Sequence, residues 1–313
     1  MSSLRLRAAV ACAASMLAFA FDGRAEDRAW VIAVPDGPGA SYHGLASFDG
    51  AGTDASAMLY PVPSLIALPF VVLAHGLIVE GAKSSQKSSI QQAADKVLGP
   101  YKPVIDSMTM AGLVGDGARR LSTPGEKRLA PRDQAGNDGF LLETLPVYAM
   151  TQDERAILID NVVRVYKPGA RETPEFAGIV RVVSTPLPKD ITPSDYWLKD
   201  DGKRMRDLSA ELWAESVDIG LGEWSAPHDG PEKTYRYAEG AAERMERAKL
   251  LREVCGHLVV KTLRGEFLSI PKRGPLQACD PHIPQAPPAA LDATPAMPVS
   301  AEPAPATPVS TGS

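Results

Sequence analysis

From Leu59 to Val79 the chain reads LYPVPSLIALPFVVLAHGLIV, 21 residues without a fixed charge. About 20 apolar residues in a helix cross a bilayer, so a run of this kind leaves two architectures open. Either it spans a membrane and divides the chain between two compartments, or it is enclosed in a soluble core. Pro61 and Pro63 fall at its entrance, where a helix tolerates proline. Pro69 is interior and would kink the helix, which membrane helices accept better than soluble ones. His75 is the polar spot. In a membrane it would be a functional residue; in a core it would be hydrogen-bonded to a neighbour. The expectation is a hydrophobic helix over 59–82, with its membrane segment bounded by Leu59 and Val79.

The N-terminus bears on the same choice. Residues 1–7 carry Arg5 and Arg7 and no acid, and residues 8–21 are uncharged and dominated by Ala, Val, Leu, Met and Phe. A basic start, a short apolar stretch and the small-residue site Ala18-Phe19-Ala20 make a signal peptide over 1–20, with cleavage after Ala25 as the alternative. Cys12 lies early in the apolar stretch and does not read as a lipidation site. Export puts the chain in the periplasm or at the inner membrane of a bacterial envelope. The charges flanking 59–79 pull the other way. Residues 22–58 hold two Arg against five Asp and one Glu, whereas 80–102 hold Lys83, Lys87, Lys96 and Lys102 against Glu80 and Asp95. The positive-inside rule would then leave the main domain in the cytoplasm.

Cys255 and Cys279 are the two cysteines outside the signal. In an oxidising compartment they are a disulfide candidate, and closing that loop would add roughly 3–4 kcal/mol in the chain-entropy model; two unpaired thiols are the alternative. The whole chain carries a formal charge of −5. It has no basic stripe, which argues against nucleic acid as a partner. The tail 281–313 has nine Pro, eight Ala and neither Lys nor Arg. Such a composition cannot bury enough apolar surface to offset its ordering entropy, so we expect a disordered tail.

Periodicity gives the elements between. Residues 30–34 read as a strand, and 35–56, rich in Gly, Asp, Ser and Pro, as a linker within 21–58. Residues 88–98 carry a helical stripe that Gly99-Pro100 ends, and a second helix is expected over 103–121. Residues 122–139 read as a loop. Strands at 145–150 and 156–166 flank the turn 151–154, and 179–184 supplies a third strand. Two amphipathic helices are expected, at 201–219 and 236–254. Met205, Leu208, Leu212, Trp213 and Val217 line the first, and Ala238, Ala241, Met245, Ala248 and Leu251 the second. A hairpin over 257–270, turning at Arg264-Gly265, closes the 83–280 domain. The fold class expected is α+β: a small antiparallel sheet covered by amphipathic helices and preceded by the hydrophobic helix.

Chemistry-bearing motifs are sparse. The chain has no HExxH, GxSxG, Walker loop or CxxC. Gly37 and Gly39 follow a strand, but Pro38 interrupts them. Asp49 and Asp54 match no calcium loop. Cys255-Gly256-His257 sets a thiol near an imidazole, yet adjacent strand residues alternate faces, and a nucleophile needs its base within hydrogen-bond reach. His228, in SAPHDGPE, would need partners, and His43, His75, His257 and His282 show no ligand spacing. We therefore expect no metal, no cofactor and no catalytic residue. Trp197, Trp213 and Trp224 read as core or rim aromatics, with a sugar-stacking cleft as the alternative.

The runs KSSIQQAADKVLGPYKPVID, AMTQDERAILIDNVVRVY, AELWAESVDIG and RMERAKLLREVCGHLVVKTLRGEFLSIP, spread over about 60–275, resemble a group of bacterial cell-envelope proteins without an assigned activity. That group pairs a signal sequence and an apolar, often Gly-containing helix with a mixed domain. The resemblance implies a compartment and carries over no site residues. Together these readings point to an exported, membrane-associated envelope protein with a non-catalytic binding or structural role. Its partners would be the membrane, through 59–79, and a protein or envelope polymer. The alternatives are a periplasmic hydrolase or carbohydrate-binding protein, and a single-span protein with a cytoplasmic main domain.

Overall fold

The computed structural model describes residues 28–47, apart from 36 and 38, and residues 82–272, apart from 225–229 and 255. The expected export signal over 1–20, the 59–79 run, His75, His228, Cys255, Cys279, His282 and the segment 281–313 lie outside the described residues. Among the described residues no helix is long and apolar enough to cross a membrane.

The strands are β1 (Ala29–Ala33), β2 (Tyr42–Gly44), β3 (Glu126–Ala130), β4 (Phe140–Met150), β5 (Ile157–Tyr166), β6 (Phe176–Val183), β7 (Glu232–Glu239), β8 (Ala242–Val254), β9 (His257–Thr262) and β10 (Phe267–Pro271). The helices are α1 (Ala82–Ala94), α2 (Lys102–Ser107), α3 (Met110–Ala118), α4 (Pro193–Trp197) and α5 (Lys199–Glu223). All ten strands join one sheet in the order β3-β1-β4-β5-β6-β10-β9-β8-β7, with β2 also pairing β4. β1 and β2 run parallel to opposite ends of the same edge of β4. β10 runs parallel to β6, and β3 parallel to β1. The remaining pairs are antiparallel.

This overturns the small antiparallel sheet covered by helices. The largest correction falls on 236–254, which forms most of the β7–β8 hairpin instead of a helix. Its Glu and Arg residues sit at spacings that suit a helix face, but the same spacings suit cross-strand diagonals. Arg236 pairs with Glu243, Arg244 with Glu239 and Arg247 with Glu232. Gly240, at φ +63°, makes the turn that a helix could not hold. Two further segments read as irregular also supply strands: β2 lies in the 35–56 linker and β3 in the 122–139 loop. The helix expected over 103–121 is broken at Met108, which is extended. Thr109 then caps α3 by accepting from the Gly112 N–H at 3.1 Å.

The sheet is covered differently on its two faces. On one, Ile159, Val163, Val180 and Val182 meet Met205, Leu212, Trp213 and Val217 of α5 in the main core. On the other, Leu158 and Val183 share a second core with Tyr237, Ala248, Val260 and Ile270, so the β7–β10 end of the sheet bends back over β5 and β6. The hairpin tip rests on the β4–β5 turn: a β-carbon at Gly240 would fall 2.4 Å from Asp153 Oδ1.

Helix α5 lies across the main core and positions the site. Asp200, Asp201 and Gly202 are left-handed, with φ of 53°, 55° and 77°, and turn the chain into the regular helix that follows. Polar anchors set the helix's rotation. Ser209 shares a hydrogen bond with the Tyr42 hydroxyl, and the Tyr148 hydroxyl donates to the Ser209 carbonyl at 3.1 Å. Trp213 Nε1 donates to Thr144 Oγ1 at 3.2 Å, and Asn161 Nδ2 to Ser216 Oγ at 2.8 Å. With these residues directed into the sheet, Glu211, Glu215, Asp218 and Gly222 face sideways into open space.

Candidate functional site

Two adjoining clefts flank α5. The larger, about 770 Å³, lies between α5, the start of β1, the 120–124 loop and the meeting of β8 with β9. The smaller, about 410 Å³, lies between α5, α4 and the segment after β6. Glu211, Glu215 and His257 line both, so the clefts form one groove along the helix.

Most charges in the groove are already neutralised. Arg120 pairs with Asp207 and Glu211 at 3.3 and 3.0 Å. Arg252 pairs with the buried Glu223 at 3.3 Å. Asp218 accepts from the Ser122 and Thr123 amides at 2.8 and 3.1 Å and from Thr123 Oγ1 at 2.8 Å, tying the 120–124 loop to the helix. Three charges stand apart, and one of them, Arg204 in the smaller cleft, lies over the Tyr196 ring, 4.8 Å from its centroid. Arg28 lies over the rings of Phe140 and Trp224, 5.5 and 5.9 Å from their centroids, and among the described residues no carboxylate pairs with it. Among the described residues Glu215 forms no ion pair with Lys or Arg; its contacts are Ser269 and His257.

His257 opens β9 and sits where α5, β10 and the segment after β6 converge. Its Nδ1 is 3.1 Å from Ser269 Oγ, and its Nε2 is 3.3 Å from Thr185 Oγ1. Ser269 Oγ donates to Glu215 Oε1 at 2.5 Å, and the same oxygen lies 3.7 Å from His257 Nδ1. Burial pushes the imidazole below its usual pKa, opposed by the Glu215 charge. The ring is therefore neutral at neutral pH and able to accept a proton.

The other sequence-flagged residues fall elsewhere. Trp213 and Trp197 are core residues, the latter donating from Nε1 to the Glu154 carbonyl at 2.7 Å. Trp224 lines the larger cleft, edge-on to Phe140 at 5.8 Å, and an edge of Trp197 borders the smaller. His43 lies on β2, 3.3 Å from Ser41 Oγ. Among the described residues no three His, Cys, Asp or Glu converge to hold a metal. His257 drew attention in the sequence because of Cys255, yet its polar contacts are Thr185, Ser269 and Glu215, none of them a sequence candidate. The Glu211–Glu215–Asp218 spacing was the one available signal, since it sets three carboxylates along one side of a helix.

Comparison of the chain with protein-family models, with curated proteins and with solved structures gives no significant match.

Proposed function

We propose that this chain is an extracytoplasmic binding protein of a bacterial envelope, and that the α5 groove takes a short zwitterionic peptide. The observation that carries the reading is the separation of Glu215 and Arg28, the two charges of the larger cleft that neither an ion pair nor backbone amides offset among the described residues. Glu215 lies near the middle of α5, and Arg28 lies against Trp224 at its C-terminal end. Nine helical residues separate Glu215 from Trp224, about 13 Å at 1.5 Å per residue. An extended chain of about four residues covers that distance. Its ammonium end meets Glu215, whose contacts use Oε1 and leave Oε2 to the groove. Its carboxylate meets the Arg28 guanidinium, a fork suited to that geometry. Ala214, Ile219 and Val259 give the span between them an apolar lining.

Calorimetry with tetra-alanine tests this. The free peptide binds; N-acetylation or Glu215→Gln abolishes binding, and C-terminal amidation or Arg28→Gln weakens it. A protein indifferent to all of these peptides, or one binding blocked and free forms alike, would sink the reading. The export signal supports the compartment, and the 59–79 run supports attachment to the membrane. A reporter fused after residue 280 decides between them and a cytoplasmic domain: activity confined to a periplasmic reporter is the expected result.

A further inference from the structure

We propose that Thr185 is a nucleophile toward small carboxylic esters, activated by His257. The inference goes beyond peptide binding and does not depend on it.

The hydrogen-bond directions around His257 fix where the protons sit. Ser269 has one hydroxyl proton, and Glu215, an acceptor only, takes it. Ser269 Oγ must therefore receive its contact with His257 Nδ1, 3.1 Å away, as an acceptor. This places the imidazole proton on Nδ1 and leaves the lone pair on Nε2. That lone pair faces Thr185 Oγ1 at 3.3 Å, so the threonine hydroxyl donates to it. The arrangement has the three parts that an activated hydroxyl requires: a nucleophile, a base within reach, and a group that holds the base in one tautomer. Here the orienting group is a Glu–Ser pair.

The elements make this geometry rigid. Ser269 is fully buried on β10, between Val182 of β6 and Val259 of β9. His257 is anchored at the first residue of β9, and Glu215 rides on α5. Thr185 follows β6 after Ser184, is exposed, and borders the cleft of about 410 Å³. Arg204, over the Tyr196 ring, lines the same cleft and adds positive charge to it.

The chemistry balances without a cofactor. Thr185 Oγ1 bonds to the ester carbonyl carbon as its proton passes to His257 Nε2. The intermediate collapses with loss of the alcohol, which takes that proton, and leaves acyl-Thr185. Water then loses a proton to Nε2 and attacks the acyl carbon; the C–Oγ1 bond breaks, Thr185 Oγ1 recovers that proton from Nε2, and the acid leaves. The net reaction is ester and water to acid and alcohol.

The test uses the folded mature protein and p-nitrophenyl acetate, read by nitrophenol release and by peptide mass mapping. We expect one acetyl group on Thr185. Thr185→Val removes it, Thr185→Ser keeps it, and His257→Gln slows it by about 100-fold or more, the usual worth of a general base. Circular dichroism and thermal melting check that each variant is folded. A measurement needing no variant supports these: wild-type acetylation rises with pH through the His257 titration and then levels off. Acetyl only on other residues, equal labelling in folded His257→Gln, or a rate that climbs with pH without levelling would each overturn the proposal. Wild-type protein that is acetylated at Thr185 without binding tetra-alanine, or that binds tetra-alanine without being acetylated there, separates this outcome from the peptide reading.

Discussion

At the scale of single residues, His257 couples the site to stability. Its folded-state pKa lies below the unfolded value, because burial disfavours the imidazolium more than Glu215 favours it. As pH falls below about 6.5 the unfolded chain takes up the proton first. The stabilisation is thus fully present above that value and is lost as pH falls toward the depressed folded value. The groups facing the ring are Glu215 from α5, Ser269 from β10 and Thr185 after β6, with Arg204, Asp207 and Glu211 along the same cleft. Urea unfolding at pH 7.5 and pH 5 should show a larger loss for the wild type than for His257→Gln. Equal losses would assign the acid sensitivity to the carboxylates. A second residue-scale test concerns Asp160 and Arg181, joined by two hydrogen bonds of 2.6 and 2.7 Å on the face of the sheet opposite α5. Asp160→Ala leaves the partly buried guanidinium with only the Glu239 charge nearby and should cost about 1–3 kcal/mol in urea unfolding. A loss near that of an exposed pair would show that water already reaches it. Neither cluster was legible in the sequence. Thr185 and His257 are 72 positions apart and Glu215 and Ser269 are 54 apart, so no local motif contains them.

Among the elements, α5 and the β7–β8 hairpin differ instructively. The α5 stripe of Met205, Leu212, Trp213 and Val217 was readable because an apolar face with period 3.6 has one common solution, and those residues are buried. The hairpin was misread because Glu, Arg, Lys, Ala and Leu favour helices when nothing else intervenes. Burial of Tyr237 and Ala248 in the second core overrides that preference. Close approach also sets how α3 meets α5. A β-carbon at Gly117 would lie 2.3 Å from Trp213 Cε3 and 3.0 Å from the Ala210 carbonyl oxygen. Overpacking of this kind costs about 1–3 kcal/mol, only partly offset by alanine's helix preference. Gly117→Ala should therefore lower the melting temperature, and because α3 packs beside the groove it should weaken tetra-alanine binding as well. A variant as stable as the wild type would mean the two helices can part without loss.

For the molecule as a whole, the sheet order predicts where the fold opens first. β4, β5 and β6 are central, covered by the main core on one face and partly by the second core on the other. Among the described residues β7 pairs with β8 alone, and it begins with exposed Glu232, Lys233 and Thr234. Native-state hydrogen exchange should find the Ile159 and Val180 amides among the slowest and those of 232–234 among the fastest. Comparable protection in β7 would imply a further strand or partner on that edge. What the sequence determined by itself is what local periodicity and turn chemistry control: the alternation of β4 to β6, the turn at 151–154, the apolar stripe of α5 and the closing hairpin. Only the tertiary structure decided that β1, β2 and β3 join the sheet, that 236–254 is extended, and that Thr185, Glu215, His257 and Ser269 meet. The reason is physical. Parallel pairing and cross-sheet burial act between residues far apart in the chain, and their free energy outweighs the few tenths of a kcal/mol per residue that separate helix from strand.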